Sequence, residues 1–215
     1  MEITAEKIMQ QLSAGTQVAG VIAVFGEEGY YKDKIAAALP RAVFGDAAPE
    51  DREITVFERD TDIKEISAAV NTYPFFSGRS LVIIKDEKLW GGKDGGEKRK
   101  QQQEELAELL ADVPEHCQVL LLGEKIDKRG KLYKSLLKTA AMVECKSLKS
   151  YQLKPWLDEQ AALRGCRFDY EASQTIMEYL SVTDNAPLLL LEQEIEKLSV
   201  YAGERKIWTK DDIEQ

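Results

Sequence analysis

Hydrophobic residues in the first two thirds of the chain form short apolar segments separated by amphipathic ones. The apolar segments predict β-strands at residues 18–25, 54–57, 81–84, 119–122 and 141–145. The amphipathic segments predict helices at residues 5–13, 61–72, 98–111 and 132–139. Pro40 is expected to bend or end a further helix that reaches Phe44. Strands that alternate with helices indicate an α/β fold with a mostly parallel sheet covered on both faces.

The last third of the chain predicts helices only. Apolar residues recur at helical spacing in residues 151–164, 168–180 and 186–201. Thr209 and Asp212 have the spacing of a capping box, which indicates that another helix begins there. We therefore expect an α/β domain at residues 1–147 and a small all-helical domain at residues 148–215.

A turn between the third predicted helix and the third predicted strand contains Tyr73, Pro74, Phe75 and Phe76. Pro74 disfavours the α conformation for the residue before it, so we expect the helix to end there. One interpretation of the two phenylalanines is that they cap the core as the strand begins. The other is an aromatic pair offered to a partner's pocket, because each ring can bury ~150–250 Å² and such rings anchor protein interfaces.

A glycine turn follows the first predicted strand, at the place where a phosphate-binding loop occurs in folds of this class. Such a loop needs the pattern GxxxxGK[ST]. Counted from Gly26, the second glycine is replaced by Tyr31, and Lys32 is followed by aspartate. Glu27 and Glu28 would also repel phosphate. The sequence therefore argues against ATP binding here.

A basic cluster follows the fourth predicted strand and consists of Lys125, Lys128, Arg129, Lys131 and Lys134. Lys125, Lys128, Arg129 and Lys131 are possible DNA contacts, because clustered cations bind phosphate. Neighbouring acidic residues dilute the charge, and the alternative interpretation is a solvent-exposed loop and helix face.

Two further candidate sites have less support. Asp86 and Glu87 follow the third predicted strand and resemble a magnesium-binding acidic pair, but no cradle for a triphosphate accompanies them. His116 has no serine or cysteine in a nucleophile-elbow context, so we expect no catalytic triad.

Composition narrows the possible functions. A formal net charge of −9 excludes a nucleic-acid surface over the whole molecule, so any DNA contact must be local or shared with other subunits. Three cysteines without CxxC spacing favour neither a disulfide framework nor a zinc site. The sequence shows no signal-peptide pattern and no apolar run of membrane-spanning length. We expect a cytoplasmic protein that has no membrane partner and needs neither metal nor cofactor.

Over nearly its whole length, the chain resembles the delta subunit of the bacterial DNA polymerase III clamp loader. The segments that carry this resemblance are Gly26–Glu28, Tyr73–Phe76 with Arg79, Lys125–Arg129 and Leu191–Leu198. The resemblance implies an AAA+-like fold, in which a RecA-type domain precedes a helical lid and a C-terminal collar domain. The sequence covers the first two domains, and we expect the collar to be absent.

The resemblance also implies a non-enzymatic role. Such a subunit grips the sliding clamp (beta) and opens the ring for loading on primed DNA, without hydrolysing ATP. It assembles with the tau/gamma and delta prime subunits of the loader. Carried over by position, Tyr73, Pro74, Phe75 and Phe76 bind the clamp. Two alternatives remain open at this point: an active AAA+ ATPase, and a DNA-binding module that uses the basic cluster.

Overall fold

The computed structural model describes residues 1–16, 18–58, 61–85, 96–181 and 187–214. The chain divides into two compact units. The α/β unit comprises residues 1–27 and 31–145, and the helical unit comprises residues 28–30 and 146–215.

The described part of the α/β unit is built on one five-stranded sheet in the order β2-β3-β4-β1-β5. Its strands are β1 Val21–Phe25, β2 Glu53–Phe57, β3 Ser80–Ile84, β4 Cys117–Gly123 and β5 Ala141–Glu144. All neighbouring strands run parallel. β1 and β3 are buried at every position, which is why both are continuously apolar in sequence. The predicted α/β fold with a parallel sheet is confirmed.

The helices of this unit alternate with its strands. They are α1 Ala5–Ser13, α2 Gly29–Phe44, α3 Ile63–Asn71, α4 Gly96–Leu109 and α5 Lys131–Thr139. On one face of the sheet, Val82 and Ile84 of β3 share a buried cluster with Ile66 and Val70 of α3 and Leu106 of α4. Because side chains alternate along a strand, the intervening residues of β3 point to the opposite face.

Pro40 lies inside α2, which continues to Phe44, so the alternative in which this proline ends the helix was wrong. A proline removes one helical N–H, but the stability of a helix in a protein comes mostly from packing. Ile35 and Leu39 are fully buried on the turns before it, and Phe44 is buried after it. This buried face holds the helix together across the proline.

The helical unit contains four described helices and one short ribbon. The helices are α6 Ser150–Leu163, α7 Tyr170–Ser181, α8 Leu188–Ala202 and α9 Lys210–Ile213. The ribbon pairs β6 Arg167–Phe168 with β7 Ile207–Trp208 in parallel. Trp208 is fully buried, and its ring lies 5.2 Å from that of Phe168. Two-residue strands are too short to show a periodic pattern, so the sequence predicted helices only.

Tyr151 and Trp156 both lie in α6, but Tyr151 is exposed and Trp156 is buried. Five residues separate the two positions, which places them about 140° apart around a helix of 3.6 residues per turn. The predicted helix is present, and Tyr151 lies away from its buried face.

The capping box before α9 forms as predicted. The Thr209 backbone N–H donates to Asp212 Oδ2 at 2.8 Å, and Arg205 Nη1 lies 2.6 Å from Asp212 Oδ1. Burial alone would raise the pKa of the Asp212 carboxyl, but the hydrogen bonds from Thr209 and Arg205 outweigh it and lower this pKa below 3.8. The box therefore holds a charged carboxylate in a buried position.

Candidate functional site

The segment from Thr72 to Arg79, here called the aromatic tip, connects α3 to β3. It begins where α3 ends at Asn71, three residues before Pro74. The backbone N–H and the hydroxyl of Thr72 both donate to the Ala68 carbonyl, at 3.0 and 2.7 Å, and Thr72 itself is extended. These two hydrogen bonds end the helix before Pro74 is reached. Pro74 itself is buried.

The aromatic side chains of the tip face solvent. Phe75 is 87% exposed, Phe76 68% and Tyr73 72%. The two phenylalanine rings lie 5.1 Å apart at an interplanar angle of 73°, an edge-to-face arrangement. This exposure disfavours the interpretation in which the rings cap the core. Large apolar side chains placed together at a surface are typical of interaction sites.

Glu53, at the start of β2, fixes the backbone under these rings. Its Oε1 accepts hydrogen bonds from the N–H groups of Phe75 and Phe76, the latter at 2.8 Å. The sequence did not indicate this residue. Parallel pairing places the starts of β2 and β3 side by side, but no pattern shows which side chain reaches back to the tip.

The second half of the tip is tied to the start of β3. The Ser77 hydroxyl donates to the Arg79 carbonyl at 2.7 Å, and Gly78 adopts a left-handed φ of 67°. Arg79 Nη2 donates to the Glu115 carbonyl at 3.4 Å. The tip is therefore held at both ends and in its middle.

Tyr73 packs on the loop before β4. Its ring centroid lies 5.1 Å from that of His116, with the planes tilted by 58°. The His116 carbonyl accepts from the Ser80 N–H at 2.8 Å, which joins this loop to the first residue of β3. His116, considered in the sequence for catalysis, here supports an aromatic side chain.

The glycine turn after β1 is filled by the chain's own groups. Gly26 has a φ of 132°, and a side chain there would overlap the carbonyl oxygen of Cys145. Lys32 Nζ donates to the Gly26 carbonyl at 2.9 Å. In a phosphate loop, the backbone N–H groups and the lysine point toward the phosphates. Here the lysine is engaged by the backbone of the turn.

Residues 28–30, which follow the first two residues of this turn, belong to the helical unit. Glu28 is buried and accepts from the Tyr30 N–H at 2.9 Å. The Tyr30 ring lies 5.5 Å from that of Trp156, in an edge-to-face arrangement. Burial, together with the negative charge of Glu192, raises the pKa of Tyr30 to about 12. The turn therefore carries a buried carboxylate where a phosphate loop would need to attract anions.

The basic cluster is exposed, and three of its five members lie in ion pairs with acidic residues. These pairs are Lys128 Nζ–Glu144 Oε1 at 2.8 Å, Lys131 Nζ–Glu104 Oε1 at 2.7 Å and Arg129 Nε–Asp127 Oδ1 at 3.7 Å. Lys128 also lies 5.8 Å from the centroid of the Phe25 ring. Its pKa is raised, chiefly by the hydrogen bond to Glu144. Much of the positive charge is thus balanced within the chain.

The other candidate chemistry gains no support. Asp86 and Glu87, considered for magnesium, lie outside the described residues. Within the described part of the chain, no group of three or more metal-ligating side chains comes together. A search of the same residues finds no helix whose length and apolar character would let it cross a bilayer.

Comparison with known proteins identifies relatives of this chain. A sequence model of "DNA polymerase III, delta subunit" matches residues 25–146. DNA polymerase III subunit delta of Bacillus subtilis (strain 168) is 28% identical over 200 residues, which cover 92% of this chain and 56% of that protein. This chain therefore spans less than two thirds of that relative's length.

Solved structures agree with the sequence comparison. The Bacillus subtilis DNA clamp loader delta protein matches with a TM-score of 0.75 and 26% identity, covering 98% of this chain and 61% of that one. A chain in the structure of the E. coli MS115-1 HORMA:CdnC:Trip13 complex matches with a TM-score of 0.55 and 13% identity, covering 91% of this chain and 73% of that one. At that identity the second match supports the fold alone. Because the sequence model covers more than half of the chain, the chain belongs to the DNA polymerase III delta subunit family.

Proposed function

We propose that this chain is the clamp-binding part of a clamp-loader delta subunit, and that its aromatic tip docks on the sliding clamp. The observation that carries this proposal is the pair of neighbouring rings, Phe75 and Phe76, exposed on a turn that is held by hydrogen bonds. Membership of the delta family and likeness to a solved DNA clamp loader delta protein support it.

The energetics of the two rings are sufficient for an interface anchor. Each ring can bury ~150–250 Å², which at about 25 cal/mol per Å² is roughly 4–6 kcal/mol before costs. Association and ordering consume much of this gain. The ordering cost is reduced here, because the backbone that carries the rings is already fixed by Glu53.

Clamp opening requires more than affinity. A bound protein shifts an equilibrium between closed and open rings only by the difference in its affinity for the two forms. In our proposal the tip binds the open clamp more tightly, and the ring is then loaded on primed DNA in a complex with the tau/gamma and delta prime subunits. The clamp and these subunits are the partners we propose.

We further propose that the chain acts without hydrolysing ATP. The Gly26 turn supports this, because the Cys145 carbonyl packs against Gly26 and Lys32 is bonded to the Gly26 carbonyl. An ATP-binding assay tests it, and saturable micromolar binding would favour the alternative of an active ATPase.

Calorimetric titration of the sliding clamp tests the main proposal. The double variant Phe75→Ala/Phe76→Ala is expected to lose at least ~2 kcal/mol of binding free energy, about 30-fold in Kd. Its thermal stability should change little, because both rings are exposed. Tyr170→Ala is a matched control, since it removes an aromatic ring that is 76% exposed in the helical unit. Unchanged affinity of the double variant would reject the assignment.

A further inference from the structure

Glu53 connects the sheet to the aromatic tip, because its side chain accepts two hydrogen bonds from the backbone of the tip. We propose that the Glu53 carboxylate is a positioning residue, which sets the direction of Phe75 and Phe76 by accepting hydrogen bonds from both of their backbone N–H groups. The inference rests on the proposed role of the tip in clamp binding.

The position of Glu53 is determined by the sheet and not by the tip. It is the first residue of β2, and the parallel register pairs it with Ser80, the residue that follows the tip. Its side chain is half-buried, and its Oε1 lies between two consecutive N–H groups more than 20 residues away. One edge-strand residue therefore anchors the centre of a turn that it does not belong to.

Two consecutive N–H groups aimed at one acceptor constrain the turn. Both amides face inward to the carboxylate, and both phenylalanine side chains face solvent. Hydrogen bonds to an ionised acceptor are roughly twice as strong as neutral ones. Without the carboxylate these amides would bond to water, and the turn would sample other conformations.

The carboxylate also matters once the tip is covered by a partner. Docking removes water from the backbone that carries the rings, and an N–H left unpaired at a buried surface is costly. Glu53 supplies that acceptor from within the chain. The contacts of Ser77 and Arg79 hold only the second half of the tip, so they do not replace the Glu53 carboxylate.

The experiment compares Glu53→Ala, Glu53→Gln and the control Glu58→Ala by two measurements. The first is solvent exchange of the Phe75 and Phe76 amide protons, measured by NMR on the free chain. The second is clamp affinity. Glu58 is the control because it is an exposed carboxylate that follows the other end of the same strand.

We expect Glu53→Ala to speed exchange of both amides at least tenfold and to weaken clamp binding about tenfold. Glu53→Gln keeps an acceptor oxygen without the charge, so it should fall between Glu53→Ala and the original chain in both measurements. Glu58→Ala should leave both unchanged. Unchanged exchange at the two amides in Glu53→Ala would overturn the proposal.

A double-mutant cycle separates positioning from direct contact with the clamp. In a Phe75→Ala/Phe76→Ala background, Glu53→Ala should cause a much smaller further loss of affinity, because most of its effect acts through the rings. An additive loss would overturn the proposal and indicate that Glu53 touches the clamp itself. If Phe75→Ala/Phe76→Ala bound the clamp normally, the proposed function would fail, and the exchange rates would still decide whether Glu53 holds the turn.

Discussion

The glycine turn and the aromatic tip lie at opposite edges of one parallel sheet. The turn follows the carboxyl end of β1, whereas the tip precedes the amino end of β3. At the carboxyl edge, Gly26 packs against the Cys145 carbonyl, and the Gly26 carbonyl accepts a hydrogen bond from the Lys32 ammonium. At the amino edge, Phe75 and Phe76 face solvent above a carboxylate that holds their backbone.

Open α/β sheets usually bind their ligands at the carboxyl ends of the strands. In this chain the Cys145 carbonyl and the Lys32 side chain contact the glycine turn at that edge. The exposed apolar surface lies instead at the amino edge, beside the start of β3. The same family fold therefore combines a glycine turn occupied by its own groups at one edge with an exposed apolar surface at the other. Function depends on such sites and not on the fold.

Substitution of one glycine at each edge should reduce the unfolding free energy more than any other change proposed below. Gly26→Ala places a methyl group on the Cys145 carbonyl at a φ of 132°, whereas Gly78→Ala meets open space at a φ of 67°. We expect a loss of at least ~3 kcal/mol in unfolding free energy for Gly26→Ala and roughly 1–2 kcal/mol for Gly78→Ala. Urea unfolding followed by circular dichroism measures both.

Gly20→Ala is the control for this pair, because it has open space and no positive φ. Its stability should change by less than about 0.5 kcal/mol. If Gly26→Ala and Gly78→Ala lost the same unfolding free energy, backbone strain alone would account for both losses. The close approach of the Cys145 carbonyl to Gly26 would then add nothing to the cost at the carboxyl edge.

The sequence predicted the apolar framework that carries the aromatic tip. Leu81 to Ile84 are a continuous apolar run and form a fully buried strand, and Ile66 and Val70 recur on the buried face of α3. It also predicted a turn at Pro74, because a proline disfavours the helical conformation before it. These features depend on local patterns, which the sequence contains.

Other features depend on contacts between distant residues. Glu53 reaches the tip across 22 positions, and nothing in the neighbouring sequence distinguishes it from other glutamates. The sheet order places it there, and only the folded chain shows the direction of its side chain. The ion pair between Lys128 and Glu144 is another such contact, because it depends on the sheet bringing the carboxyl ends of β4 and β5 to one edge, on either side of β1.

Tyr73 tests how far the apolar surface of the amino edge extends. Its ring is exposed and rests on His116, so it adds area beside the two phenylalanines. Tyr73→Ala is expected to weaken clamp binding by about 1 kcal/mol, roughly fivefold, with little change in unfolding free energy. Tyr73→Phe keeps the ring and should bind normally. If Tyr73→Ala bound the clamp as tightly as the original chain, the contact surface would be confined to Phe75 and Phe76.

Substitutions in the basic cluster at the carboxyl edge should change stability least. Lys128 is 49% exposed and pairs with Glu144, and this hydrogen bond raises its pKa above 10.5. Such an exposed pair contributes only about 0–1 kcal/mol. Because the folded-state pKa is the higher one, that contribution is fully present below pH 10.5 and is lost as the pH rises through the folded value.

Lys128→Met should therefore lower the unfolding free energy slightly at pH 7, and the difference from the original chain should shrink in high salt and in strong alkali. Lys125→Met, which removes a neighbouring exposed charge, is the control.

The same two variants, measured for DNA binding, decide whether the basic cluster contacts nucleic acid. A steep salt dependence of DNA affinity that decreases with Lys128→Met would make the carboxyl edge a nucleic-acid surface, because each lost phosphate contact reduces that slope. Weak DNA binding that neither variant changes would instead leave the amino edge as the binding surface of the α/β unit.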